Sequence, residues 1–429
     1  MSESTSHSDI RMRGFLNRKS VKEAQDWCDA QSTPLPSDVI PLRDAHRRVL
    51  AADVVSPIDV PPFDRSAMDG FALIAEDTFG ASDYNNLRFT VVGSSFPGDG
   101  FSRTVENGQA IRIMTGAPIP DGANAVIPVE YSNVEQQGKT EQLLICESTS
   151  PGKHIGRQGE DILAGQVILE KGRSLRPQDL GVMASVGLNE ITVHRKPNVT
   201  LLVTGNELVS PGTPLEKHQI YDANSFVLRS LVARDGGELV SQIYVPDDEQ
   251  KLKSLLQSVD TDVVLLSGGS SVGQEDHGPQ LVAKLGELPF HGISMRPSSP
   301  AGMGKIGNTL VFLLPGNPVS CLCAYDFFAG RAIRQLGSRH PEWPYQRQSF
   351  ELNSKIASVV GRLDYCRIRI VDGNATPISV GGASILSSTT RANGFTIIPE
   401  DSEGLPAGET VDVFLYDEPG QYISPDGTL

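Results

Sequence analysis

At 429 residues the chain exceeds one ordinary core, so about three domains is the starting expectation. A hydrophobic fraction of 39% with 21% charged residues excludes intrinsic disorder, and a formal charge of −15 excludes non-specific nucleic-acid binding. Anionic small molecules stay open, because a pocket can be locally positive in an acidic protein.

The polar opening has no apolar core of a signal peptide, and no run approaches eighteen apolar residues, so a soluble cytoplasmic protein is expected. The 42 glycines and 29 prolines favour many turns and a sizeable β content. Five scattered cysteines make no disulfide framework, and Cys321 and Cys323, two apart on an expected helix, read as buried thiols.

In chain order, residues 1–13 read as a disordered lead. Val21, Ala24 and Trp27 give a short amphipathic helix after Ser20, and Leu42 to Ala51 reads as a second. Residues 52–157 carry short alternating runs between Gly, Asn and Asp clusters, a β-rich segment. A helix is expected around Pro177–Val186, ended by Gly187.

From Pro197 to about Gly337 strands and helices alternate, the mark of a mostly parallel α/β sheet. The predicted strands are Val199–Val203, Leu239–Val245, Asp262–Ser267, Phe290–Met295 and Thr309–Leu314. The predicted helices are Ser225–Arg234, Asp247–Ser258, Pro279–Leu285 and Pro318 to about Leu336. After Pro341 and Pro344 short strands return, an all-β domain.

Ligands of open α/β sheets bind outside the carboxyl ends of strands. At two such ends lie Ser267-Gly268-Gly269-Ser270-Ser271, whose small residues bring backbone N–H groups to an anion, and Pro315-Gly316-Asn317-Pro318. Glu275 and Asp276 close the first loop and suit a hard cation. Thr204-Gly205-Asn206-Glu207 follows the first strand, and Asp222 reads equally as the cap of the next helix. Upstream lie Asp64 and Asp69 in a Pro-rich turn, Thr115 beside Arg112, and the adjacent acids Glu160 and Asp161. Each stretch alone is also readable as an ordinary turn. No zinc signature, P-loop, nucleophile elbow or GxGxxG occurs.

Taken together, six stretches in fixed order resemble the molybdopterin molybdenumtransferase family, which includes bacterial MoeA and the E domain of gephyrin. They are Pro-Pro-Phe-Asp-Arg-Ser-Ala-Met-Asp-Gly (61–70), Arg-Ile-Met-Thr-Gly-Ala-Pro-Ile-Pro (112–120) and Gly-Glu-Asp (159–161). With them go Thr-Gly-Asn-Glu-Leu (204–208), Ser-Gly-Gly-Ser-Ser-Val-Gly (267–273) and Leu-Pro-Gly-Asn-Pro-Val-Ser (314–320).

The resemblance implies an elongated four-domain homodimer. It combines β-rich domains with a mostly parallel, MogA-like α/β molybdopterin-binding domain and a C-terminal β-barrel-like domain. The expected boundaries are 1–53 with 158–192 for the discontinuous linking domain, 54–157 for the β-rich insertion, 193–345 for the α/β domain and 346–429 for the last. It further implies insertion of molybdenum from molybdate into adenylylated molybdopterin with release of AMP, aided by Mg2+. The implied partners are a molybdopterin adenylyltransferase upstream and recipient molybdoenzymes downstream.

By position, Asp69, Thr115, Asp161, Glu207 and Asp276 are the catalytic candidates, with Glu207 and Asp276 also the metal candidates. Asp222, Ser267, Gly268, Gly269, Ser270, Ser271, Arg296, Ser299, Pro315, Gly316, Asn317 and Pro318 are the substrate-binding candidates. One difficulty is that acids repel an oxyanion: each unit-charge repulsion at ~4 Å and an effective dielectric of about 20 is on the order of 4 kcal/mol. Arg65, Arg112, Arg157 or a metal must offset them.

Two departures stand out. The family's Lys-Pro-Gly-Lys-Pro is Arg296-Pro297-Ser298-Ser299-Pro300 here, so one lysine becomes arginine, the other is lost, and Lys305 is a possible substitute. Arg47 stands where the family has glycine. The lost lysine leaves open a non-catalytic scaffold member or a tungstate-preferring homologue, and a nucleotide pyrophosphatase is a third reading.

Overall fold

The computed structural model describes residues 18–138, 140–269, 277–379 and 381–417. The chain divides into two compact units, Met1–Asp38 with His194–Leu429, and Val39–Val193.

In the first unit, helix α1 (Val21–Gln31) begins at Ser20, whose hydroxyl caps Glu23 N–H while the Glu23 carboxylate returns to Ser20. Its apolar face buries Val21, Ala24 and Cys28. Next come β1 (Asn198–Thr204), α2 (Asn224–Arg234), β2 (Glu238–Val245), α3 (Glu249–Ser258) and β3 (Val263–Ser267). They are followed by α4 (Gly278–Leu285), β4 (Glu287–His291), β5 (Gly302–Ile306) and β6 (Thr309–Leu314).

The six strands form one sheet in the order β2-β1-β3-β6-β5-β4. β2, β1, β3 and β6 are parallel, whereas β5 and β4 join antiparallel. Both faces of the central strands are covered. Leu201, Leu265 and Phe312 pack with α2 residues Leu228 and Val232, and Leu202, Leu266 and Leu313 pack with Leu252, Leu256 and Leu281. Double-sided burial is why these strands read as unbroken apolar runs. Asp262 fixes the entry to β3 by accepting two guanidinium N–H groups from Arg195, at 2.7 and 2.9 Å, and Asn198 N–H at 2.7 Å.

After β6 the helical run comprises α5 (Pro318–Ala324), a π-helical turn (Tyr325–Ala329) and α6 (Gly330–Leu336). Strand β7 (Leu363–Val371) then leads a second six-stranded sheet, in which Met295–Arg296 runs parallel to it and Gly394–Ile398 antiparallel.

The second unit holds a separate six-stranded sheet. Gly70–Leu73 lies between Gln109–Ile113 and Ala125–Pro128, with Leu87–Ser95, Thr140–Ile145 and Ser132–Gln137 continuing beyond Gln109–Ile113. A helix, Pro177–Ser185, starts on proline, and the Asp179 carboxylate takes N–H groups from Arg173 and Arg176. Both cationic side chains hold that carboxyl far below the usual carboxylate range.

Two sequence expectations are corrected. Leu42 to Ala51 is not a helix: a 3-10 turn at Leu42–Asp44 ends by Arg47, whose φ of 62° is left-handed. Val49 and Leu50 instead bridge to Ser174 and Val193, so their apolar spacing serves strand-like pairing. The predicted strand Phe290–Met295 splits into β4 and the Met295–Arg296 pair, while β5 was unforeseen and makes the sheet mixed. The expected lead at 1–13 lies outside the described residues. Among the described residues no helix is long and apolar enough to cross a membrane.

Candidate functional site

Register brings three strand ends to one level. Val203 pairs with Ser267, and Ser267 with Leu314. The loops leaving β1, β3 and β6 therefore open side by side around a hollow of about 570 Å3. Thr204, Ser267, Gly268, Gly269, Gly316 and Pro318 form its strand-end wall, and Glu207, Asp222 and Asp247 add carboxylates. No lysine or arginine is among these lining residues.

Gly268 has φ +87°, and a Cβ there would lie 2.4 Å from the Thr204 carbonyl oxygen. Its N–H donates to Leu314 O at 3.1 Å, which binds the β3 loop to β6. Asn224, the first residue of α2, donates its Nδ2 to Gly316 O at 2.8 Å and to Ser267 Oγ at 3.3 Å. Beneath Ser267 lies Cys321, whose thiol burial pushes up to about 12, so it stays protonated at neutral pH.

The acids differ in what they hold. Asp222 is buried, and its carboxylate accepts from Ser225 N–H at 3.1 Å, the Ser225 hydroxyl and Tyr244 Oη at 2.8 Å. It anchors the start of α2. Glu207 is exposed over Gly205, where a Cβ would sit 2.8 Å from its Oε2. Asp247 accepts Asn206 N–H at 3.1 Å and donates its own N–H to Asn206 Oδ1 at 3.3 Å. Sequence reading assigned Asp247 to a helix start. The helix begins instead at Glu249, with Asp248 as its cap, which leaves Asp247 on the hollow. An acidic doublet where one cap suffices was the available signal.

Ser270, Ser271 and Asp276 lie outside the described residues. Pro315, at the β6 end, is buried, whereas Gly316 and Asn317 after it are exposed. Arg296 and Ser299 do not line the hollow. The Arg296 guanidinium pairs with wholly buried Asp364, which also accepts from Ser358 Oγ at 2.8 Å and Arg362 Nε at 3.0 Å. Ser298, at the family's glycine, has φ +88° and donates its hydroxyl to Ser320 O. The Ser299 hydroxyl is buried with no hydrogen-bond partner. Lys305 donates to Gln31 Oε1 at 3.1 Å.

In the other unit, Asp69 Oδ1 accepts Thr115 N–H at 2.6 Å and its hydroxyl at 2.9 Å. The backbone bond foremost, then the hydroxyl, hold the Asp69 carboxyl below its usual range. Asp161 is exposed, with its backbone N–H on Val60 O at 3.1 Å. The arginines expected to offset acids are paired: Arg65 with Glu160 at 4.0 Å, Arg157 with Asp64 at 2.6 Å and Arg112 with Glu141.

Arg367 on β7 was not singled out in the sequence. It is 0% exposed, donates Nη2 to Gly381 O, and leaves buried Nε and Nη1 without a hydrogen-bond partner. The segment after Gly381 carries Ala383, whose carbonyl accepts Val319 N–H at 2.9 Å on α5, and Ser384, which lines the hollow. A buried cation with unused donors is uncommon, because the desolvation of a guanidinium is costly unless it is satisfied.

Family models match most of the chain. The MoeA N-terminal region (domain I and II) matches residues 19–187, a probable molybdopterin binding domain 200–335, and the MoeA C-terminal region (domain IV) 350–416. Molybdopterin molybdenumtransferase 2 of Mycobacterium tuberculosis is 35% identical over 416 residues, spanning 92% of this chain and 99% of that protein. Molybdopterin molybdenumtransferase of Haemophilus influenzae is 35% identical over 390 residues, spanning 89% and 94%. Two solved structures of the molybdopterin biosynthesis MoeA protein from Pyrococcus horikoshii superpose with TM-scores of 0.79 and 0.73. Their identities are 34% and 33%, and they cover 94% and 93% of this chain and 100% of theirs. With that likeness running through nearly its whole length, the chain belongs to the MoeA family of molybdopterin molybdenumtransferases.

Proposed function

We propose that this chain inserts molybdenum from molybdate into adenylylated molybdopterin and releases AMP, the closing step of molybdenum cofactor assembly. The observation that carries this is the strand-end hollow: small-residue loops from β3 and β6 lining it together with exposed Glu207 and half-buried Asp247. The backbone N–H groups of such loops receive phosphate oxygens. Carboxylates alone would repel the phosphates, so the hollow needs a divalent cation. Oxygen donors few in number suit Mg2+, which keeps several waters and shares substrate phosphates. Glu207 and Asp247 would hold it, together with Asp276 from the sequence. Bound there, it supplies neutralisation of charge on the departing AMP.

The oxyanion needs its own cation. Arg65, Arg112, Arg157 and Arg296 are engaged by carboxylates, whereas the only hydrogen bond of the Arg367 side chain among the described residues is to a carbonyl, with Nε and Nη1 buried and without a hydrogen-bond partner. We assign molybdate to Arg367, whose guanidinium holds Gly381 O of the segment that reaches the hollow at Ser384. Asp69, Thr115 and Asp161 stay the candidates of the β-rich unit, and the reading includes a homodimer of four-domain subunits. The chain would receive its substrate from a molybdopterin adenylyltransferase and pass its product to apo-molybdoenzymes. Five free thiols suit a reducing, cytoplasmic setting.

The test is to incubate the protein with adenylylated molybdopterin, Mg2+ and either molybdate or tungstate, following AMP and reconstitution of an apo-molybdoenzyme. AMP release with active enzyme in the molybdate arm is expected. Intact substrate in both arms, with no reconstitution, sinks the proposal, and turnover confined to tungstate redirects it to that oxyanion.

A further inference from the structure

We propose that Asn224 is a positioning residue for the nucleotide: a clasp that holds the two phosphate-receiving loops at fixed spacing. The inference rests on the functional reading above. Its side-chain nitrogen donates to Gly316 O at 2.8 Å and Ser267 Oγ at 3.3 Å, so one carboxamide joins the ends of β3 and β6. The amide orientation is fixed by chemistry. A carbonyl only accepts, so the nitrogen must face Gly316. That turns Oδ1 away, and Oδ1 is buried without a partner. Leaving an acceptor unsatisfied is unfavourable, so the two donated bonds dictate the arrangement.

The base of the clasp is rigid. Asp222 takes the Ser225 N–H and hydroxyl and the Tyr244 hydroxyl, which locks the first turn of α2 on either side of Asn224. Side chains that position a site work when their own support is fixed. The strands behind the loops owe nothing to Asn224, since Gly268 N–H reaches Leu314 O directly and the β3–β6 ladder is complete. Removing the clasp therefore frees the loops without opening the sheet.

Two variants test this. Asn224→Ala deletes the clasp, and Asn224→Asp keeps the shape but turns a carboxylate oxygen toward the Gly316 carbonyl. Calorimetric AMP binding, KM for adenylylated molybdopterin, KM for molybdate, thermal midpoint and amide exchange at Gly268 and Gly316 are measured on the full chain. AMP affinity is expected to fall about tenfold in the alanine variant, the loss of roughly one net hydrogen bond, and further in the aspartate variant. KM for the pterin nucleotide should rise in parallel, with KM for molybdate and the thermal midpoint nearly unchanged and loop exchange faster.

Wild-type affinity in both variants, or parallel loss of both KM values, kcat and thermal midpoint, overturns the clasp. A wild-type chain that neither binds nor releases AMP overturns the functional reading, and the nucleotide role of Asn224 with it. That outcome is distinct from a binding wild type with indifferent variants.

Discussion

Gly268→Ala offers a graded test of how the strand ends converge, because the same fold contains a matched control. At φ +87° an alanine must enter the left-handed region, which costs about 1–2 kcal/mol. Its Cβ would also stand 2.4 Å from Thr204 O and 2.9 Å from Thr204 Oγ1, inside any tolerable contact. Neither neighbour is the free end of a flexible side chain, so β1 and the β3 loop must separate, at a further cost of about 1–3 kcal/mol. The sum is about 2–5 kcal/mol. Gly307, with φ +58° and no atom within 4 Å of its would-be Cβ, incurs only the conformational part.

Urea unfolding followed by tryptophan emission reads the right unit, since Trp27 and Trp343 both lie in the segments that contain this sheet. The expected result is a stability loss for Gly268→Ala about 1–3 kcal/mol beyond that of Gly307→Ala. Equal losses would refute the argument that close approach at Thr204 governs this position.

Three other outcomes follow from particular contacts. Arg47→Gly should keep or raise stability by up to about 1 kcal/mol, since glycine adopts its left-handed backbone freely; a clear loss in thermal unfolding would show that the arginine side chain matters more. Thr115→Val removes one of two donors to Asp69, so the carboxyl pKa, followed by carbon NMR, should climb toward its ordinary value. Because the folded pKa is the lower one, the contribution of Asp69 to stability is present above the ordinary carboxylate pKa and is lost as pH falls through the depressed value. The valine variant should lose less over that acid window. Arg367→Gln should raise KM for molybdate at least about tenfold while KM for the pterin nucleotide stays within about twofold, with Arg367→Lys between; parallel rises in both would make Arg367 structural.

Much of the α/β unit was legible because burial on both faces writes strands as apolar runs between polar turns. Thr309–Leu314 is read at its true limits, and α2 within a residue. β5 escaped because Gly302 and Gly304 carry no apolar signal. A Cβ at Gly304 would lie 2.1 Å from Glu287 O, so packing against β4 demands the residue that hides the strand. Leu42 to Ala51 misled for the opposite reason: Leu42, Ala45, Val49 and Leu50 mimic a helical stripe, while the left-handed Arg47 breaks it. At the site, residues in fixed loops were visible as motifs. Asn224 was not, because its role depends on Ser267 and Gly316, which are 43 and 92 positions away.

The lost lysine takes on a different meaning beside these contacts. The arginine at 296 is not a free cation, because buried Asp364 receives its Nη2, and Arg362 lies on the same carboxylate. Exchanging partners would leave Asp364 buried with less compensation, which is strongly unfavourable. The nearby serines are neutral: Ser298 is spent on Ser320 O, and Ser299 offers one hydroxyl. The proposed function gives the oxyanion to Arg367 instead, three residues beyond Asp364 on β7, where Tyr365 and Arg367 share a buried face. On that proposal a fixed guanidinium makes a more shape-dependent receptor than flexible lysines, since bidentate donors select geometry as well as charge. On this reasoning, the departure from the family pattern bears on which oxyanion is admitted and how tightly. The loops at Ser267 and Gly316, to which the proposed function gives the nucleotide, lie outside that departure.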